Sequence, residues 1–498
     1  MLNRISLSML VAALFMLPPF AEAASAVAPV AQAENVEQAI TAFLQSEMRE
    51  RNIPGLQIAV VRHGKVVLSR NFGVASLQYG VPVTGASLFS INSATKSLTG
   101  VAVMQLVQQG KVELDAPVSR YIAGLPQAWQ AVTITRLLDH TSGLPDVLNQ
   151  ATGKLVGPQP DDPEAAWKAV QALPMDFVTG QRFRYNQTNY VLLAQVIERQ
   201  SGMPYVDFIR QGQFVPAGMR HSGFGDAKDV VPGKASSYYL AGQEYRNVIE
   251  DFPVSMRAGA GINSSADELG KWLIALQSGK LLKPESLARL WQPGTLADGK
   301  PAPWALGWPA IRRDGHRAVA GIGGARSAFY VYPNDDLAIV ILTNLAGGQP
   351  EQLIDTVAGF YVPALRQQAG GAYAAYLLRQ AIGSKGFDGL GPQLSAIRQQ
   401  HALPNPDEGE LNAWGYRLLR QQRTSDALAV FKLAVQLYPD SANGHDSLAE
   451  AGEAAGDQAL AISHYRRSVE LDADNRHAIE RLKQLEKNEK SPALPQIR

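Results

Sequence analysis

Cysteine is absent from all 498 residues. That absence excludes a disulfide framework, thiolate-ligated zinc or iron–sulfur sites, and a thiol nucleophile. It leaves the redox compartment unreadable, because a chain without thiols is indifferent to it. Charge of one sign is missing too: 46 Lys plus Arg face 45 Asp plus Glu, a formal net charge of +1. No electrostatic footprint for nucleic acid or acidic lipid exists at that balance. Beyond residue 23 no uncharged apolar run reaches the ~20 residues of a membrane-spanning helix, so no stable membrane anchor is expected. There is no H-E-x-x-H, no G-x-x-x-x-G-K-[ST] and no G-x-S-x-G, which argues against zincin proteases, P-loop enzymes and the α/β-hydrolase elbow. The eight His residues show no metal-ligand spacing, so neither metal nor cofactor is expected. A lone His such as His140 reads as a structural hydrogen-bonder.

What is present describes a folded protein of several domains, with 46% hydrophobic residues, 44 Gly and 30 Pro. Arg4, the apolar residues 5–17 and Ala21-Glu22-Ala23 form the n-region, h-region and A-x-A site of a secretory signal peptide over 1–23. An uncleaved anchor is the alternative, but the apolar run is too short to span. The expected location is periplasmic or secreted. Residues 24–34, rich in Ala, Val and Pro, read as a flexible tether. Apolar spacing predicts helices over 36–50, 97–109 and 191–200, and a capping box at Ser265-Ala266-Asp267-Glu268 opens another. β-prone runs at 56–61 and 65–69, and again at 328–332 and 337–343, predict two hairpins. Strands at both ends with helices between them imply an α+β domain over 35–362 whose sheet joins early and late segments.

Past about residue 350 the strand signals stop. At an offset of 34 residues Gly415 falls on Ala449, Ala427 on Ala461, Phe431 on Tyr465 and Leu437 on Leu471. This is the tetratricopeptide pattern of two helices per repeat. It predicts an all-α tail: a helical linker over 363–410, tetratricopeptide-like repeats over 411–486 and a C-terminal tail over 487–498. Two repeats are too few to stand alone, so the pair is expected to pack on the helical segment 373–400 or on the first domain. A protein partner on the repeats is expected; a bare structural extension is the alternative.

Ser93-Ala94-Thr95-Lys96 is the one S-x-x-K of the chain. Alone it reads more simply as an N-cap serine followed by a surface lysine. Placed at a helix start, however, it sets the Lys96 amine one turn from the Ser93 hydroxyl, beside a dipole that favours an oxyanion. Its surroundings decide the reading: Phe89-Ser-Ile-Asn-Ser-Ala-Thr-Lys96, Val112-Glu-Leu-Asp-Ala-Pro-Val118, Leu137-Leu-Asp-His-Thr-Ser-Gly143, Phe183-Arg-Tyr-Asn-Gln-Thr-Asn-Tyr190 and Ala258-Gly-Ala-Gly-Ile-Asn-Ser-Ser-Ala-Asp-Glu-Leu269. In order and spacing these blocks resemble the serine β-lactamase-related hydrolases of the class C type, which include D-Ala-D-Ala carboxypeptidases and esterases. The resemblance implies a β-lactamase/transpeptidase-like domain, an antiparallel sheet flanked by helices with a helical subdomain. It further implies Ser93 as nucleophile, Lys96 as its proton acceptor, Tyr185 as general base and leaving-group acid, and an acyl-enzyme that water hydrolyses. Backbone N–H groups of Ser93 and of the late strand would form the oxyanion hole.

Two positions depart from the family pattern. Gln187 stands where the family has Asn, which alters reach more than chemistry. Counting back from Pro333, the family's Lys-Thr-Gly or His-Thr-Gly falls on Gly321-Ile322-Gly323, so the cation or imidazole and the hydroxyl are missing. His316 and Arg326 are candidate replacements, yet five residues of strand span roughly 16 Å, so neither substitutes by simple position. The backbone of Gly323 and Gly324 can still supply the oxyanion N–H, at Gly324. The expectation is an exported serine acyl hydrolase acting on a small-molecule or peptide substrate, with neutral esters or amides favoured over carboxylate-bearing ones. The competing expectation is a non-catalytic cell-wall or peptide-binding protein with a degenerate site and the repeats as docking surface.

Overall fold

The structure is a computed structural model and describes residues 27–149, 154–157 and 162–489. The leader over 1–23 and the end of the 487–498 tail, from residue 490, lie outside the described residues. The central element is a seven-stranded antiparallel sheet built from β1 (Gly55–Arg62), β2 (Lys65–Ser76), β3 (Val81–Pro82), β4 (Ala310–Ile311), β5 (Ala318–Gly323), β6 (Ser327–Tyr332) and β7 (Leu337–Thr343), in the order β3-β2-β1-β7-β6-β5-β4. The early hairpin therefore pairs with the late one through β1 and β7, Leu56 opposite Thr343 and Arg62 opposite Leu337. Both faces are buried, so β1 and β7 carry nearly unbroken apolar runs. Residues alternate between faces: Ala59, Val61, Phe329 and Val340 belong to one core, Ile58, Val60, Tyr330 and Ile339 to the other. A slip of one residue would exchange the two sets, so the pairing register is specified from both sides.

The helices divide between those faces. α1 (Val27–Arg51) packs on the second core. α2 (Thr95–Gln108), α3 (Thr188–Ser201) and α4 (Ala266–Gln277) form the first. α5 (Glu351–Tyr361) returns to the second. α1 begins at Val27, so the stretch over 27–34 expected to be a flexible tether is helical. Alanine-rich sequence carries high helix propensity, and a proline is tolerated within the first turn. At α4 only half of the expected capping box forms. Ser265 Oγ accepts from Glu268 N–H at 3.2 Å, but the Glu268 carboxylate turns to the N–H groups of His221 and Ser222 instead, at 3.0 and 2.8 Å.

The rest of the chain is an all-helical, repeat-like region: α6 (Pro363–Ala369), α7 (Gly371–Lys385), α8 (Leu390–His401), α9 (Glu408–Arg420), α10 (Thr424–Leu437), α11 (Ala442–Ala454), α12 (Gln458–Leu471) and α13 (Arg476–Glu489). Small residues hold the helix pairs close: a Cβ added at Gly415 would lie 2.4 Å from the Phe431 ring. α7 and α8 share one core with α9, α10 and Leu448 of α11. The region docks on α1 through buried charges: Arg51 reaches Glu47 at 3.0 Å and Glu410 at 2.6 Å, while Arg379 of α7 pairs with Glu47. No helix among the described residues is long and apolar enough to cross a membrane.

Candidate active site

Ser93 occupies a single 3₁₀ turn, Asn92–Ala94, that runs directly into α2. Asn92 adopts φ 49°, a left-handed conformation that asparagine tolerates better than most residues. Its amide secures the turn by donating to Ser90 O at 3.1 Å and accepting from Arg326 Nη2 at 3.0 Å. Lys96 falls in the first turn of α2 and is 1% exposed. Its Nζ lies 3.4 Å from Ser93 Oγ and 2.9 Å from the carbonyl of Gly259. The ring centroids of Tyr185 and Tyr190 are 4.8 and 5.0 Å from the same nitrogen. Burying an ammonium is costly unless it is compensated, and here a carbonyl dipole and two π-faces share the compensation.

The tyrosines differ in access. Tyr190 is buried, its hydroxyl 3.2 Å from Leu138 O, and burial first, then Tyr185, push its phenol well above the ordinary range. Tyr185 is partly exposed. Behind both sits His140, its centroid 4.5 Å from Tyr185 and 5.1 Å from Trp304. Burial, and then the Lys96 charge, hold the imidazole well below its usual pKa, so it stays neutral and Nδ1 accepts from the Asn186 N–H at 3.1 Å. Sequence reasoning had no means to find the Gly259 carbonyl, 163 residues from Lys96. The Asn92 support and the Tyr190 face also escaped it.

The late strand closes the other side. A Cβ on Gly323 would lie 2.8 Å from Ser93 N and 2.0 Å from Ile91 O, so β5 ends against the Ser93 turn and only glycine permits that approach. Gly324, at φ 58°, shares with Ser93 and Gln187 the lining of a cavity of about 340 Å³. Gln187 precedes α3, and a Cβ on Gly259 would lie 2.9 Å from its Oε1 and 3.3 Å from Lys96 Nζ. Ser93, Gln187 and Gly324 thus line one opening together with Lys154 and Asp251, while Lys96 and Gly323 adjoin Ser93 and Tyr185 reaches the group through its ring on Lys96.

Neither candidate replacement for the missing cation reaches that opening. His316 pairs with Asp335 at 2.8 Å, beyond the opposite end of β5. Arg326 is buried under the turn, 2.9 Å from Glu250 and bound to Asn92. The space beside Gly321 is itself taken. A Cβ there would meet the Phe329 ring at 2.1 Å, because Phe329 is its cross-strand partner and packs edge-on against Trp272 and Trp308. Gly321→Lys is therefore expected to overpack this cluster and lower stability by about 1–3 kcal/mol. Thermal unfolding reads the loss, and an unchanged midpoint would contradict the steric account. Away from this site, His477 of α13 bridges Asp446 at 3.0 Å and Glu450 at 3.2 Å. This grouping has the composition of a metal site that the sequence spacing did not reveal, but all three side chains are engaged with one another.

Residues 36–361 match the family model described as Beta-lactamase. The putative penicillin-binding protein PbpX of Bacillus subtilis (strain 168) is 32% identical over 238 residues, 47% of this chain and 58% of that protein. The chain therefore spans little more than half of this relative's length. Among solved structures, the octameric penicillin-binding protein homologue from Pyrococcus abyssi has a TM-score of 0.59 at 25% identity, covering 69% of this chain and 81% of that one. EstCE1, a hydrolase with promiscuous acyltransferase activity, shares the fold with a TM-score of 0.56 at 20% identity, over 68% of this chain and 99% of its own. With residues from three of its family blocks lining one opening and most of its first 361 residues matched, the chain belongs to the beta-lactamase family of serine hydrolases, among penicillin-binding-protein-like relatives.

Proposed function

We propose that the protein is an exported serine acyl hydrolase of the class C-related type that cleaves a neutral ester or amide through an acyl-enzyme on Ser93. The observation that carries this reading is the buried Lys96 amine, 3.4 Å from Ser93 Oγ and held by Gly259 O. A surface lysine beside an N-cap serine would have no such environment.

In the mechanism the Lys96–Tyr185 pair enters the step one proton short of its ammonium–phenol form, and it takes the Ser93 proton as Oγ attacks the substrate carbonyl. The resulting oxyanion faces the amides of Ser93 and Gly324, which are fixed before the reaction starts. Tyr185, the more exposed of the two tyrosines on Lys96, returns a proton to the leaving group. Water then repeats the sequence on the ester of Ser93. Gln187 offers its carboxamide to the substrate on the α3 side. Phe329 in the place of a cation leaves a substrate carboxylate without a partner at Gly321, which supports neutral substrates.

A fluorophosphonate probe tests the reading. The expected result is one covalent adduct on the Ser93 peptide by mass spectrometry, absent from Ser93→Ala. An intact protein that stays unlabelled would instead support a peptide-binding role with the helical tail as docking surface.

A further inference from the structure

A second cavity, of about 710 Å³, adjoins the one at Ser93. The two share Leu155, Pro253 and Met256 as common wall. The turn carrying Met256 continues to Gly259, the residue that holds Lys96, so the annex opens beside the reacting centre. Its other apolar walls include Val147, Trp167 and Val191. Val147 and Val191 are buried backstops, and Trp167 is braced edge-on by Trp129 at 5.9 Å. Such a wall exists before any ligand arrives, which lowers the ordering cost of binding.

The charged groups in the annex have the wrong sign for a carboxylate. Asp162 and Glu164 stand there without any cation in the lining. The Asp162 carboxylate is already occupied, accepting from the N–H groups of Glu164 and Ala165 at 2.9 and 3.1 Å. With Gln195 and Ser255 as its neutral polar side chains, the annex offers contact area and no cation for a carboxylate.

We infer that the substrate of the Ser93 site carries a large uncharged apolar group, of medium-chain alkyl or arylalkyl size, that lies in this annex. The inference rests on the hydrolase reading above. It supplies what Gly321 cannot: the grip on the substrate comes from burial of apolar surface and not from a charge on its carboxylate.

The test uses the full chain with two ester series, p-nitrophenyl esters from acetate to decanoate and n-alkyl acetates from ethyl to decyl. In one series kcat/KM is expected to rise about fourfold per methylene, equivalent to about 0.8 kcal/mol, until the annex is full. Gln195→Trp, which projects an indole into the annex from α3, should abolish the rise and leave acetate turnover unchanged. Trp167→Ala should move the optimum to longer chains, and it keeps the question open to measurement if the first variant fails to fold. Acetate turnover with a flat profile in both series overturns the annex and leaves the hydrolase reading standing. If no ester is cleaved, the hydrolase reading fails and calorimetry decides the annex alone. Binding of 1-octanol much tighter than 1-butanol, lost in Gln195→Trp, supports it, and equal or no binding overturns it.

Discussion

Replacing Lys96 by methionine is expected to lower kcat/KM for an activated ester by about 10²–10⁴-fold, the range that a positioned proton acceptor contributes. The protein should still fold, with a thermal midpoint no lower than that of the parent. The reasoning separates two roles of one side chain. For stability, the ammonium is 1% exposed and its desolvation is offset by one carbonyl at 2.9 Å and two aromatic faces; methionine fills the same volume with no charge to bury. For chemistry, Tyr185 shares the proton transfer with Lys96, and removing the amine breaks that pair. Tyr190 is sealed behind Lys96 and His140 is engaged at Nδ1. Steady-state kinetics and calorimetry on the same sample decide it. Retained turnover would remove Lys96 from the mechanism, and a collapse in midpoint would recast it as a structural residue.

The second large effect is on stability. Glu47→Gln is expected to cost about 3–5 kcal/mol, because a buried ion network loses its central anion. The Glu47 carboxylate is fully buried between Arg51 and Arg379. Without it Arg379 keeps only the face of Trp414, 5.8 Å from its guanidinium carbon, and Arg51 keeps Glu410. Burial pushes the Glu47 carboxyl up, but Arg379, Arg51 and Arg417 override that and hold it below its ordinary value of 4.5. A group lowered on folding contributes stability that is fully present above its unfolded pKa and is lost as pH falls through the folded one. The parent should therefore loosen progressively below about pH 4.5, first at the contact between α1, α7 and α9, and Glu47→Gln should be loose there already at neutral pH. Hydrogen exchange in those helices, followed from pH 7 to pH 3, reads the difference. Matching protection in the two proteins at pH 7 would refute the role assigned to Glu47.

Much of the fold was legible because its signals are local. The β-branched run ahead of Arg62 and the one ending at Thr343 read as strands, and the spacing from Ser93 to Lys96 needs only a helical turn to place the two groups together. The 34-residue offset pairing Gly415 with Ala449 also needs no tertiary information, since each small residue answers to the helix packed against it. Residues 27–34 were misread because an alanine-rich stretch suits a linker and a helix equally by composition, and only packing of the following turns on the sheet decides between them.

The residues alone determined that no thiol nucleophile is available and that an amine lies one turn away from Ser93, the nucleophile proposed above. They determined too that the family's cation is missing at Gly321. Tertiary structure decided everything that depends on remote neighbours. It set the Gly259 carbonyl on Lys96, put the Phe329 ring where a side chain at 321 would stand, buried Arg326 under Asn92 and joined an apolar annex to the Ser93 cavity. The physical reason is that solvation, dipoles and free volume around a group are made by segments far away in the chain, and their approach is fixed only when the two hairpins close into one sheet.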